Sequence, residues 1–124
     1  MRYMVLLKMD ENGGAPPPEL IQAMNEAMGR AFASGYMIDA GGLGPTAQST
    51  EITLRGGAVL STDGPFSEAK EVVGGYAILE TRSHAEAVEH ARRMIVIHQQ
   101  FWPGWEGAAE VRPLTEPQNG PPSP

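Results

Sequence analysis

Cysteine is absent from this chain of 124 residues. That rules out disulfides, a thiol nucleophile and any thiolate metal site. Basic residues are also few: nine Lys and Arg stand against 15 Asp and Glu, for a formal charge of −6. Such a balance argues against nucleic acid or an anionic membrane as a partner held by a basic surface. Long apolar runs are missing as well. The opening Met1-Arg2-Tyr3-Met4-Val5-Leu6-Leu7-Lys8 has an apolar run of only five residues, too short for the core of a signal peptide. No run approaches the ~20 residues that cross a bilayer. These absences lead to the expectation of a soluble, cytoplasmic, single-domain protein, large enough to bury a core unaided.

What is present is a regular alternation of strand and helix signals. Tyr3–Met9 reads as a strand apolar on both faces, with Tyr3, Val5 and Leu7 on one and Met4 and Leu6 on the other. After a Gly- and Pro-rich loop, Glu19–Ser34 reads as a helix. Leu20, Met24, Ala27, Met28, Ala31 and Phe32 line one face, and Gly35 stands where a helix commonly ends. Met24 and Met28 are read as core rather than cofactor contacts. Tyr36–Ala40 is a short strand, and Gly41-Gly42-Leu43-Gly44-Pro45 an elbow. This glycine cluster lacks the following helix and the Lys-Ser/Thr of a phosphate loop. Gln48–Leu54 and Ala58–Thr62 form a hairpin around Arg55-Gly56-Gly57, and Val72–Glu80 is a second long strand.

Ser83–His98 is the second helix, opened by the capping box Ser83-x-x-Glu86. Its expected inward stripe is Val88, Ala91 and Ile95, continued by His98, which leaves His84 and His90 in solvent. The three histidines make no metal pair, so no metal site is expected, and no cofactor motif is present. Trp102 and Trp105 share a Gly/Pro loop, as a lid or as a contact surface. Ala108–Leu114 is the last strand, with Glu110 and Arg112 on one face and expected to pair. Residues 1–114 form the domain, and Thr115–Pro124 reads as a disordered tail.

This order gives an α+β class: a ferredoxin-like split βαβ sandwich with an inserted β-hairpin. Helices cover only one face of such a sheet, yet the first strand is apolar on both. A second copy of the sheet is the economical cover, so the expectation is a homodimer paired as a dimeric α/β-barrel.

The chemically unusual stretch is Asp63-Gly64-Pro65-Phe66-Ser67-Glu68-Ala69-Lys70-Glu71. Two readings stand side by side. In one, Asp63 is a turn residue and Ser67 caps a short helical turn, Glu68–Glu71. In the other, Asp63, Phe66, Lys70 and Glu71 sit at the mouth of a pocket, where loops on a rigid scaffold carry function.

The same stretch resembles the signature of the DGPF group within the YCII-related family, often written DGPFAETKE. The opening Arg2-Tyr3-Met4-Val5-Leu6-Leu7, Gly74-Gly75-Tyr76, Trp102-Pro103-Gly104-Trp105-Glu106-Gly107 and Glu110-Val111-Arg112-Pro113 are also similar. Ser67-Glu68-Ala69 departs from the pattern's Ala-Glu-Thr. The resemblance implies a dimeric α/β-barrel, relatives with muconolactone isomerase-like and dehalogenase-like activities, and a His–Asp pair in a cleft. It makes Asp63 the matching acid and His98 the candidate base. It also implies a gene context beside extracytoplasmic-function sigma factors, and so a sigma-factor-linked partner.

Two functions follow as expectations. In the first, His98 is a general base oriented by Asp63, Lys70 or Arg112 neutralises a substrate carboxylate, and Trp102 closes the pocket, giving lyase-, isomerase- or hydrolase-like chemistry. In the second, the chain is a non-catalytic module that senses a ligand or binds a protein through its tryptophans. His98 then has the plain reading of a core histidine satisfied by a backbone carbonyl.

Overall fold

A computed structural model of the chain describes residues 1–66 and 70–115. Strand β1 (Arg2–Met9) leads into helix α1 (Pro18–Ala33) and strand β2 (Met37–Gly42). Strands β3 (Thr50–Arg55) and β4 (Ala58–Asp63) form the hairpin, followed by strand β5 (Val72–Glu80), helix α2 (His84–Phe101) and strand β6 (Gly107–Pro113). The main sheet has the order β2-β5-β1-β6, every pair antiparallel, and the hairpin is a separate two-stranded sheet. With two helices packed on one face, this is an α+β arrangement compatible with the ferredoxin-like fold.

Local chemistry accounts for the element ends. Pro18 occupies the first position of α1, where its missing N–H costs nothing. Gly35, at φ +86°, takes the left-handed conformation just beyond the helix. Ser83 caps α2 by accepting from Glu86 N, while the Glu86 carboxylate accepts from Arg82 N rather than closing the box on Ser83. The hairpin turn is Gly56–Gly57, both at positive φ, as a two-residue turn matched to strand twist requires.

Several sequence boundaries are corrected. Strand β2 runs on through Gly41 and Gly42, which pair with Tyr76 and Gly75 instead of starting an elbow. A side chain at Gly41 would press on the Tyr76 ring, 2.8 Å from where its Cβ would stand, so the glycine lets the ring lie on the strand. Helix α2 extends beyond His98 to Phe101. Thr46–Gln48 is a 3₁₀ turn, and the third strand starts only at Thr50. Lys70 lies in a bend and Glu71 precedes β5. The expected Ser67 cap and the first half of the expected turn Glu68–Glu71 fall outside the described residues, as does the tail from 116 onward.

The core is Tyr3, Val5, Ala77 and Leu79 of the sheet against Ala87 and Ala91 of α2. Leu20 and Ala31 are the buried residues of α1. Phe32 is exposed, contrary to its expected place on the core face. At about 100° per residue it lies well round the helix from Ala31. The opposite sheet face is the one expected to be apolar and uncovered by helices. It carries Met4, Leu6, Tyr76 and Ile78, all half-buried. There the Tyr76 hydroxyl donates to Asp39 Oδ2 at 3.2 Å, which raises the phenol's pKa. Among the described residues, no helix is long and apolar enough to cross a membrane.

Candidate functional site

The Asp63 stretch is first of all the root of the hairpin. Asp63 closes β4 and accepts from Thr50 Oγ1 across the pair at 2.9 Å. Gly64 N donates to Ser49 O at 2.8 Å, and a Cβ on Gly64 would fall inside the Thr46 carbonyl. The Gly64–Pro65 peptide is cis. Phe66 N donates to Thr46 Oγ1 at 3.3 Å. Thr46 in turn donates through its N and its hydroxyl to Glu11, holding that carboxyl below the usual carboxylate range. The stretch thus ties the hairpin to the loop after β1.

His98 is buried, and its Nδ1 lies 2.8 Å from the Met94 carbonyl, four residues back on α2. A carbonyl only accepts, so Nδ1 carries the proton and donates. The ring packs on Trp105 at 4.5 Å between centroids. No hydrogen bond joins His98 to Asp63: each has the other partner just named.

Three of the expected site residues do converge. Lys70, Glu71 and Trp102 line an open groove of about 720 Å³ together with Asp10, Gln99, Trp105 and Glu106. Gly107 also lines it, and a Cβ there would meet Trp105 and stand 2.6 Å from Lys8 O. The groove's charged lining is three carboxylates against one lysine, which is the wrong balance for an anion. Arg112 is elsewhere, on the open sheet face. It pairs with Glu110 as expected, and Lys8 reaches the same carboxylate at 2.5 Å. The hydrogen bonds from Arg112 and Lys8 bring the Glu110 pKa down to about 2.

A different hollow, partly open to solvent, lies between α1, α2 and the inner face of the sheet. This cavity measures about 340 Å³ and is walled by Val5, Met24, Met28, Met37, Leu79 and Met94. It adjoins a second hollow of about 230 Å³ that reaches Gly74 and Gly75 of β5. The polar members of the larger cavity are Arg30 and Ser34 of α1, Tyr36, and His90 and Arg93 of α2. Arg30 and Arg93 are exposed and form its rim. His90 stacks on Tyr36 at 3.7 Å, nearly parallel. His90 Nδ1 is buried without a hydrogen-bond partner among the described residues. Burial, then the positive charge of Arg93, push the His90 pKa below the usual histidine value, against an opposite pull from Glu86 and Glu89. At neutral pH the ring is uncharged and keeps a lone pair to accept a proton.

His90 therefore departs from its expected place in solvent. The buried stripe of α2 is Ala87, Ala91 and His98, with the half-buried Met94 on the same side. Including Ala87 and Met94 turns the stripe by about 50° relative to one built on Val88, Ala91 and Ile95. The turn brings His90 onto its flank. The i, i+4, i+7, i+11 spacing from Ala87 was the signal available. His84 is exposed, with its ring over Tyr3 at 5.4 Å.

This α+β fold, with a cavity between its helices and its sheet, fits a known family. The YCII-related domain matches residues 1–102, and the chain belongs to the YCII-related family. It is also similar to an uncharacterized protein of Rhizobium meliloti (strain 1021), 35% identical over 83 residues. That alignment covers 62% of this chain and 63% of the relative, so the chain spans less than two thirds of the relative's length.

Proposed function

We propose that this YCII-family chain, a member of its DGPF group acting in the cytoplasm, binds a small molecule with an apolar body and one carboxylate in the helix–sheet cavity. The observation that carries the reading is the buried Nδ1 of His90, without a partner among the described residues, on a side chain that lines a cavity rimmed by two arginines. Buried polar groups rarely stay unpaired, so a ligand polar group is the missing partner. The methionines and Leu79 take the apolar body, and Arg30 and Arg93 take the carboxylate. A neutral His90 accepts a proton from carbon near that carboxylate and returns it at a neighbouring position, chemistry of the isomerase or lyase kind.

A thermal-shift screen against small carboxylates and lactones tests this, using wild type, Asp63→Asn and the pair Arg30→Gln/Arg93→Gln. A ligand at 100 times its dissociation constant adds ~2.7 kcal/mol of stability. The shift is expected in wild type and Asp63→Asn and lost in the arginine pair. A shift that survives the arginine changes but vanishes with Asp63→Asn sinks the reading. It would return the site to Asp63, His98 and the Lys70 groove.

A second reading, a non-catalytic module with a protein partner in a sigma-factor context, is favoured by one observation. The hairpin exposes Ile52, Leu54, Val59 and Leu60.

A further inference from the structure

The helix–sheet cavity continues away from its polar rim. The larger hollow, of about 340 Å³, and the smaller, of about 230 Å³, share the walls Val5, Met24, Met28, Met37, Ala77 and Met94. The polar groups lie at one end. Arg30 is in the last turn of α1, Ser34 ends that helix and Tyr36 follows, with His90 stacked on Tyr36 from α2. The smaller hollow holds none of these. Apart from Tyr76, its lining side chains are apolar or absent. It lies at the other end of β2, where Gly42 pairs with Gly75 of β5. Strand β2, six residues long, spans roughly 17 Å between the two ends.

Missing side chains make the far hollow. Gly42 and Gly75 sit two residues along from Ala40 and Ala77, which pack in the core, so both glycines face the helix-covered side. A Cβ on Gly42 would meet nothing within 4 Å, so the strand there borders open space. Four of the seven methionines, Met24, Met28, Met37 and Met94, wall both hollows. Methionine adapts its shape to what it packs against, which suits a guest that is itself a flexible chain. A compact ring acid would fill the first hollow and leave the second empty.

On the cavity reading proposed above, we infer that the ligand is an unbranched carboxylate of medium chain length. Its head lies at Arg30, Arg93 and His90, and its tail runs between the methionines to Gly42 and Gly75. Gly42 is then a specificity-determining position, because its missing side chain sets how long a tail the site accepts.

Calorimetry with hexanoate, octanoate and decanoate tests this on wild type and on Gly42→Leu. Each methylene taken from water into the channel is expected to tighten wild-type binding about fourfold, up to decanoate. In Gly42→Leu the leucine occupies the far hollow. Hexanoate is expected to bind it as it binds wild type, and octanoate and decanoate no more tightly than hexanoate. A wild type that binds all three acids alike overturns the inference and leaves the carboxylate reading of the cavity standing. A folded Gly42→Leu that keeps the full gradient also overturns it, because the tail then lies elsewhere. Binding of none of the three removes the cavity reading itself, and the inference with it. A second measurement needs no variant. In NMR spectra of wild type, decanoate is expected to shift the backbone amide signals of Gly42 and Gly75, and hexanoate to leave them in place. Shifts confined to the rim with both acids overturn the inference.

Discussion

The tryptophan groove and the helix–sheet cavity differ in nearly every property that matters for binding. The groove is twice as large, open, and lined by three carboxylates and one lysine. The cavity is smaller, mostly apolar and rimmed by Arg30 and Arg93, and the buried Nδ1 of its lining residue His90 has no partner among the described residues. Of the residues conspicuous in the sequence, Lys70, Glu71, Trp102 and Trp105 gather at the groove, whereas no motif marks the cavity. Conspicuous residues here serve as fasteners. Asp63 and Gly64 tie the hairpin, and His98 with Trp105 seals the end of α2. The proposed site rests on an unmet hydrogen-bonding group beside an apolar cavity rather than on volume or motif.

The largest effect expected is on the fastener. Gly64→Ala drives a methyl into the Thr46 carbonyl and should cost about 3 kcal/mol in chemical denaturation. A variant as stable as wild type would break the view of this stretch as a root.

Next comes affinity. Arg93→Gln should weaken a carboxylate ligand about 10–100-fold by calorimetry, the scale of one charged hydrogen bond. Lys70→Gln, in the groove, should leave it unchanged. The opposite ranking would exchange the roles of the two regions.

A smaller effect is expected on pH dependence. His90 has a folded pKa below its unfolded one, so the unfolded chain binds the proton more readily. Stability from this group is complete above the unfolded value near 6.5 and is lost as pH falls through it toward the folded value. Glu11 and Glu110 have lowered pKa values, so their contributions are present above about 4.5 and fade only below. Melting at pH 7.5 and 5.5 therefore isolates the histidines. Replacing His90 by Gln should reduce the midpoint drop between those two values. An unchanged drop would mean that the ring is solvated.

The smallest effect is expected at Asp63. Asn keeps an oxygen for Thr50 Oγ1, so Asp63→Asn should cost at most ~1 kcal/mol and leave ligand shifts intact.

Much of the fold was legible from periodicity. The two-face apolar pattern of β1, the Ser83 cap and the Gly56–Gly57 turn rest on neighbours in the chain, and each is found where expected. Pairing across the sheet corrected β2, whose glycines looked like a loop until Tyr76 lay over Gly41. On α2, alanine is a weak hydrophobic signal, so periodicity alone favours Val88 over Ala87 and turns His90 toward solvent.

The sequence by itself determined the order and kind of elements, the uncovered second face of the sheet and the Glu110–Arg112 pair, because all of these depend on spacing of a few residues. Only the tertiary structure decided that Asp63 bonds Thr50, that His98 is spent on a carbonyl, and that, among the described residues, His90 Nδ1 is unpaired and β3 and β4 pair only with each other. Those outcomes depend on which distant groups come within about 3 Å of one another, and hydrogen bonding is settled only at that range.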